Sequence, residues 1–156
     1  MIPRVGLGFD VHPFSDDPLR PLVLGGVTVD GPGLVGHSDA DVVAHAVADA
    51  LLGAGALGDL GGHFPDSDPM YTNIDSTELL ARVVLSVSEH WEVGNVDATV
   101  VLEAPRLAPY CGAMAARLGE IVGAPVNVKA KRGEGLGALG RGEGVACMAV
   151  AIVAPR

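Results

Sequence analysis

Three side chains in the first third of the sequence could together hold a metal ion. Asp10 and His12 lie two residues apart in a segment typical of a strand, Val5 to His12, so both should project from one face of it. His45 lies in a helical segment further along. A carboxylate and two imidazoles suit zinc or a similar divalent ion, and three protein ligands leave one position open, as in catalytic sites. The alternative is that these are ordinary polar residues.

The neighbours of these residues suggest how they are supported. Phe9 and Val11 alternate with Asp10 and His12, so we expect them to point into the core. Asp41 and Asp49 lie four residues before and after His45, on the same helix face. Metal-bound histidines usually donate their second ring nitrogen to a partner. We therefore expect one of these two aspartates to accept from His45.

A second group of residues could bind phosphate. His37 and Ser38 precede the helix, with Ser38 as its expected N-cap and Asp41 three residues later. A helix N-terminus offers free N–H groups to an anion. Alternatively, Ser38 only caps the helix and His37 lies on a surface loop.

A cluster of cationic side chains lies near the C-terminus. Lys129, Lys131, Arg132 and Arg141 make up four of the ten Lys and Arg residues. In an acidic chain such a cluster predicts a site for a small, strongly charged anion. The alternative is a solvated loop.

An acidic loop in the middle of the chain contains Asp59-Leu60-Gly61 and Phe64 to Asp68. Its carboxylates could hold ribose or polyol hydroxyls, or the segment could be a turn-rich surface loop. Two matches to G-x-G-x-x-G, at 53–58 and 135–140, lack the preceding strand and following helix of a dinucleotide site.

Composition excludes several protein classes. The chain has 156 residues, which predicts one domain, 1–156. The formal charge of −9 argues against a general nucleic-acid binder. The start lacks the pattern of a signal peptide, and no apolar stretch approaches the roughly 20 residues of a membrane helix. We therefore expect no membrane association. The two cysteines form no C-x-x-C motif, and we expect the protein in a reducing cytoplasm.

Periodicity and turn signals predict the elements. We expect an α/β chain, an α+β two-layer sandwich, with a mixed sheet of four main strands, helices on one face and a small β-hairpin. The predicted strands are Val5 to His12, one or two short strands in Pro21 to Val29, Val93 to Ala104, Val126 to Ala130 and Val145 to Val153. The predicted helices begin at Ser38, Asp75 and Pro109, and the predicted loops are Gly61 to Asn73 and Gly133 to Gly144.

Taken together, these segments resemble the 2-C-methyl-D-erythritol 2,4-cyclodiphosphate synthases of the non-mevalonate route to isoprenoids. The resemblance runs from Arg4 to about Val153. It rests on Gly8-Phe9-Asp10-Val11-His12, His37-Ser38-Asp39-Ala40-Asp41-Val42 with His45, Ala50-Leu51-Leu52-Gly53-Ala54, Leu57-Gly58-Asp59-Leu60-Gly61, Phe64-Pro65-Asp66-Ser67-Asp68-Pro69, Gly94-Asn95-Val96-Asp97 and Gly140-Arg141-Gly142-Glu143-Gly144.

The resemblance implies an enzyme, a phosphorus–oxygen lyase. It would convert 4-diphosphocytidyl-2-C-methyl-D-erythritol 2-phosphate into the 2,4-cyclodiphosphate and release CMP. The subunit would form a homotrimer with active sites between neighbours. Zn²⁺ would bind Asp10, His12 and His45, and Glu134 would help to hold Mg²⁺ or Mn²⁺ on the diphosphate.

The resemblance also implies which residues meet the substrate. His37 and Ser38 would contact phosphates, and His37 and Arg132 would be the catalytic residues. The remaining contacts would come from Asp10 and His12, from Asp59, Leu60 and Gly61, from Phe64, Pro65, Asp66, Ser67 and Asp68, from the cytosine pocket of Leu102, Ala104, Pro105, Arg106, Leu107 and Ala108, and from Lys131, Arg132, Gly133, Glu134, Ala138 and Arg141.

The chain departs from the family pattern in one stretch. Ala130-Lys131-Arg132-Gly133-Glu134 replaces a threonine-rich segment, and Arg132 stands where a threonine helps to stabilise the transition state. Arginine could stabilise the same charge with a longer reach, so we expect activity to survive. Ala138 stands where an aromatic residue is common, which counts against prenyl binding in the trimer cavity beside Arg141.

The alternative functions are a non-catalytic, metal-dependent sensor of an isoprenoid diphosphate or cytidine nucleotide, and a metal-binding scaffold.

Overall fold

A computed structural model describes residues 2–156 of the chain. Its strands are β1 (Arg4–Pro13), β2 (Leu22–Leu24), β3 (Val27–Val29), β4 (Trp91–Val101), β5 (Val126–Lys131) and β6 (Gly144–Pro155). Its helices are α1 (Val42–Gly55), α2 (Leu60–His63), α3 (Ser76–Ser88), α4 (Cys111–Val122) and α5 (Gly137–Gly140), with a 3₁₀ turn at Pro69–Tyr71.

The main sheet is mixed, with strand order β1-β6-β4-β5. β6 pairs antiparallel with both β1 and β4, and β4 runs parallel to β5 through a crossover containing α4. β2 and β3 form a separate hairpin. Helices α1 and α4 pack on the sheet, and α3 packs on both helices. The predicted mixed four-stranded sheet with helices and a small hairpin is confirmed.

Two glycines let α1 lie directly on β1. A Cβ atom at Gly6 would overlap the carbonyl oxygen of Ala50, and one at Gly8 would overlap that of Ala46. The helix is lined with alanine on this side, so backbone meets backbone without intervening side chains. This close approach brings His45 of α1 against the end of β1.

The prediction that Phe9 and Val11 point into the core is wrong. Their side chains are 55% and 50% exposed. Gly6 and Gly8 occupy the helix-facing side of β1, and strand alternation then places Asp10 and His12 on that same side. The apolar side chains of β1 form an exposed stripe on the other face of the sheet together with two residues of β6: Val5, Leu7, Phe9, Val11, Met148 and Val150.

Asp41, and not the predicted Ser38, is the N-cap of α1. Its buried carboxylate accepts from the N–H groups of Val43 and Ala44 at 3.1 and 3.0 Å. The same carboxylate accepts from Gly25 and Gly26 at 2.8 and 2.7 Å, which ties the helix to the turn between β2 and β3. The first N–H groups of α1 are thus already bonded, and the helix terminus is not an open phosphate site.

Other differences lie at element ends. β4 ends at Val101, before the predicted Ala104, and the two predicted loops contain the short helices α2 and α5. Asp75 caps α3 as predicted, but Glu78 pairs with Arg82. Across residues 2–156, no helix combines the length and apolar character that a bilayer crossing requires.

Replacing Gly8 with alanine tests the contact between α1 and β1. The new methyl group would force the helix from the strand, so we expect the free energy of unfolding to fall by about 3 kcal/mol. Gly112→Ala is the matched control, because a Cβ there meets nothing within 4 Å. Denaturant unfolding measures both variants, and equal stability would contradict the close packing.

Candidate metal centre and adjoining cavities

The three predicted metal ligands come together at one end of β1. Asp10 Oδ2 lies 3.0 Å from His12 Nε2 and 2.9 Å from His45 Nδ1. One donor atom from each residue lies within 4.8 Å of the other two. Among residues 2–156, no other group of three or more acidic, His or Cys side chains has its donor atoms this close together.

The orientation of His12 leaves one ring nitrogen available. Its Nδ1 donates to the Val35 carbonyl at 2.8 Å, because a carbonyl can only accept. Within the described residues, Nε2 is buried without a hydrogen-bond partner, close to Asp10 but not aligned for a bond. A buried nitrogen lone pair beside a carboxylate is unfavourable alone and is satisfied by a cation.

The electrostatics of the cluster favour positive charge. Burial raises the pKa of Asp10, but contacts with His12 and His45 outweigh it and hold that pKa at about 2. Burial lowers the pKa of His12, whereas Asp10 and the Val35 carbonyl raise it, and the net pKa lies above the usual value. The carboxylate therefore stays ionised, and the residues fit a divalent metal.

The predicted partners of His45 are wrong. Asp41 caps α1, and Asp49 accepts from the N–H of Leu60 at 2.7 Å. Nε2 of His45 instead lies 2.8 Å from Ser76 Oγ and 3.2 Å from Ser38 Oγ. Ser76 begins α3, and no local signal in the sequence connects it with His45.

Arg20 is a second residue that sequence reasoning missed. Its guanidinium donates to the carbonyls of Leu34, Gly36 and Ser38. Those carbonyls belong to the segment that carries His37 and Ser38. Three bonds from one side chain fix the path of this segment beside the metal cluster.

A cavity of about 230 Å³ opens from the metal cluster. His37 lines it, with Nε2 3.1 Å from the carbonyl of Asp68 and 3.3 Å from Thr72 Oγ1. The other lining residues include several predicted substrate contacts: Asp10, His12, Ser38, Leu60, Gly61, Phe64 and Asp66. Asp59 lies in an adjoining depression, where its carboxylate caps α2. Pro65, Ser67 and Asp68 are in the loop that follows α2.

A larger cavity, about 540 Å³, lies at the ends of β4 and β5. It is lined by the segment predicted to bind cytosine, Leu102 to Ala108, and by three residues at or beside the stretch that departs from the family pattern: Ala130, Lys131 and Arg132. Asp10 and Val100 are both registered with Cys147, and Val100 with Ala130. The two cavities thus lie at the same end of the sheet, and the strands that carry Asp10 and Ala130 are three strand spacings apart, about 14 Å.

The predicted cationic cluster is largely paired with acids. Lys129 contacts Asp97 at 2.6 Å, Arg132 contacts Glu103 at 2.6 Å and Arg141 contacts Glu143 at 2.7 Å. Exposed pairs contribute only about 0–1 kcal/mol, so an anion can compete for these cations.

The loop after β5 carries the remaining predicted residues. Glu103 also accepts from the Gly133 N–H at 3.0 Å, which anchors the start of this loop. Glu134 is exposed with a positive φ of 54°, and Ala138 is exposed within α5. The structure does not bring these two residues into either cavity lining.

Comparison with known proteins gives a consistent match. Residues 3–154 match the model of the YgbB family. The chain is 54% identical to 2-C-methyl-D-erythritol 2,4-cyclodiphosphate synthase of Desulfatibacillum aliphaticivorans, over 95% of this chain and 97% of that protein. The chain is also 51% identical to the bifunctional enzyme IspD/IspF of Anaeromyxobacter dehalogenans. That match covers 95% of this chain but only 39% of the longer relative.

A solved structure agrees with the fold. The IspF–CDP complex of Plasmodium falciparum superposes with a TM-score of 0.85 at 27% identity. The match covers 99% of this chain and 97% of that one.

Removing His45 tests the metal cluster. We expect the wild-type chain to bind one divalent ion and His45→Ala to bind it more than about 100-fold more weakly, because losing a ligand should cost at least as much as losing an outer partner. Titration with Zn²⁺ against a chromophoric chelator measures this. His90→Ala, an exposed histidine, is the control, and equal affinity in all three proteins would contradict the site.

Proposed function

This chain belongs to the YgbB family and has the cyclodiphosphate synthase role in isoprenoid biosynthesis, and we propose how its residues perform it. The substrate is 4-diphosphocytidyl-2-C-methyl-D-erythritol 2-phosphate, and the products are 2-C-methyl-D-erythritol 2,4-cyclodiphosphate and CMP. The observation that carries this proposal is the Asp10, His12 and His45 cluster, which opens into a cavity lined by His37 and Ser38. Residues 1–156 would form the domain that holds this activity.

The chemistry requires no protein nucleophile. An oxygen of the substrate's 2-phosphate forms a bond to the β-phosphorus, the bond from that phosphorus to the bridging oxygen breaks, and the oxygen leaves with CMP. No water enters, so the enzyme is a phosphorus–oxygen lyase. The residues therefore have to align two phosphates and offset their charge.

Asp10, His12 and His45 would hold Zn²⁺, an ion that suits this nitrogen and oxygen donor set. When bound, such an ion polarises phosphoryl oxygen. His37 and Ser38 border the same cavity, where they would contact and orient the phosphates. Arg20 fixes their backbone, so both side chains are positioned before substrate arrives.

The methylerythritol part would occupy the smaller cavity. Leu60, Gly61, Phe64 and Asp66 line it, which combines apolar surface with a carboxylate for hydroxyl groups. Asp59, Pro65, Ser67 and Asp68, from the adjoining depression and loop, would complete this binding region.

The cytidine part would occupy the larger cavity. The stretch from Leu102 to Ala108 lines it, with Leu102 and Leu107 buried, and would meet the base largely through backbone groups. The CDP in the Plasmodium falciparum relative supports nucleotide binding by this fold. Lys131 and Arg132 border this cavity, where they would meet the diphosphate.

Glu134 would help to hold Mg²⁺ or Mn²⁺ on the diphosphate. Mg²⁺ is usually bound through one or two carboxylates together with substrate phosphates, and an exposed carboxylate in a backbone-anchored loop suits that use. Gly133, Ala138 and Arg141 lie in the same loop region.

We propose a homotrimer in the cytoplasm. The exposed apolar stripe on β1 and β6 supports burial against other copies, and active sites between neighbours would bring a metal cluster of one subunit near a cytidine cavity of the next. Both cysteines are free, which suits a reducing compartment.

A direct assay tests the proposed reaction. Purified chain is incubated with the diphosphocytidyl substrate and Mg²⁺ and followed by phosphorus NMR, with His45→Ala as the inactive control and His90→Ala as the active one. We expect CMP and the cyclic diphosphate in equal amounts from wild type, despite Arg132 in place of threonine. Binding of substrate or CDP without turnover would contradict the enzyme and favour a sensor.

A further inference from the structure

We propose that Asp39 and Ser76 are positioning residues that fix the ring proton of His45 on Nε2, so that Nδ1 presents its lone pair toward the metal. The inference rests on the proposed metal site and assigns two residues outside its ligand set. Ser76 contacts His45 from α3, and Asp39 contacts Ser76 from the segment before α1.

The contacts form a continuous chain. Ser76 Oγ lies in hydrogen-bond contact with Asp39 Oδ1 and 2.8 Å from His45 Nε2. His45 Nδ1 lies 2.9 Å from Asp10 Oδ2 on the opposite side of the ring. The imidazole is thus held between a hydroxyl and the ligand carboxylate.

Counting hydrogens sets the direction of each bond. Asp39 is a carboxylate that only accepts, so Ser76 must give it its single hydroxyl hydrogen. Ser76 Oγ then has only lone pairs for His45, and Nε2 must be the donor. A neutral His45 with its proton on Nε2 has an unprotonated Nδ1, the form that a metal needs.

The surroundings hold this arrangement in place. Ser76 is 1% exposed. Asp39 accepts from the N–H of Ser76 through Oδ2 and from the N–H of Asp41 through Oδ1, both at 3.1 Å. The carboxylate is therefore fixed by backbone groups at the start of α1 and of α3.

A bound divalent ion decides between the two proton positions. With its proton on Nδ1, His45 would donate to Asp10 in a charge-assisted bond, but it could not be a metal ligand. Nε2 and Ser76 Oγ would then face each other with lone pairs at 2.8 Å, even if Ser38 Oγ, 3.2 Å from Nε2, donated to the ring. With the ion on Asp10 and Nδ1, the proton on Nε2 keeps both the metal ligand and the bond from Ser76 to Asp39.

The test uses the full-length chain and three variants. Ser76→Ala removes the hydroxyl, Ser76→Thr retains it, and Ser86→Ala removes an exposed hydroxyl of the same helix that bonds only to the Arg82 carbonyl. We expect Zn²⁺ affinity to fall about 10–100-fold in Ser76→Ala, as for other outer partners of metal ligands. We expect Ser76→Thr to restore most of it and Ser86→Ala to match wild type.

Proton–nitrogen NMR of the Zn²⁺-loaded chain gives a readout that altered packing alone would not move. We expect the Nε2–H of His45 to be hydrogen-bonded and slow to exchange with solvent in wild type and Ser76→Thr, and to exchange faster in Ser76→Ala. A zinc-bound Nε2 with the proton on Nδ1 in wild type, or unchanged affinity in Ser76→Ala, would overturn the inference. Because neither measurement uses substrate, a failed turnover assay would contradict the proposed reaction and leave this inference standing.

Discussion

The close contact between α1 and β1 is the constraint on which the candidate site depends. Gly6 and Gly8 leave the strand without side chains at the interface, so the alanine-lined helix lies directly on the strand backbone. Alternation along β1 then sends the next two inward positions, Asp10 and His12, to the end of that interface. His45 meets them from the helix. A larger residue at either glycine would separate the ligands as well as weaken the core.

Charge is arranged locally in a way that the net value of −9 conceals. Several acids are occupied with structural tasks: Asp41 and Asp75 cap helices, and Glu103 holds Arg132 and the loop after β5. The ionised Asp10 is set between two imidazoles. A phosphate ester at the sheet end would therefore meet His37 and Ser38 and the cations Lys131 and Arg132 as well as the carboxylate of Asp66.

Local patterns allowed much of the structure to be predicted. The alternation of side chains predicted β1, the turn residues predicted the β2–β3 hairpin, and the types of the three ligand residues predicted the metal-binding group. What could not be predicted depends on packing between distant segments. Whether Phe9 faces the core depends on where α1 lies. The hydrogen-bond partner of His45 is Ser76, 31 residues away. The role of Arg20 can be seen only once the path of residues 34–38 is known.

X-ray absorption at the zinc edge of the loaded chain tests the central claim, that the contact of α1 with β1 builds an Asp, His, His metal site. The account predicts nitrogen and oxygen neighbours at about 2.0–2.1 Å with imidazole scattering. The concrete competitor is Cys147, which is registered with Asp10 on the adjacent strand. Burial raises the pKa of its thiol and keeps it protonated. A sulfur neighbour at about 2.3 Å, or the absence of imidazole scattering, would contradict the account.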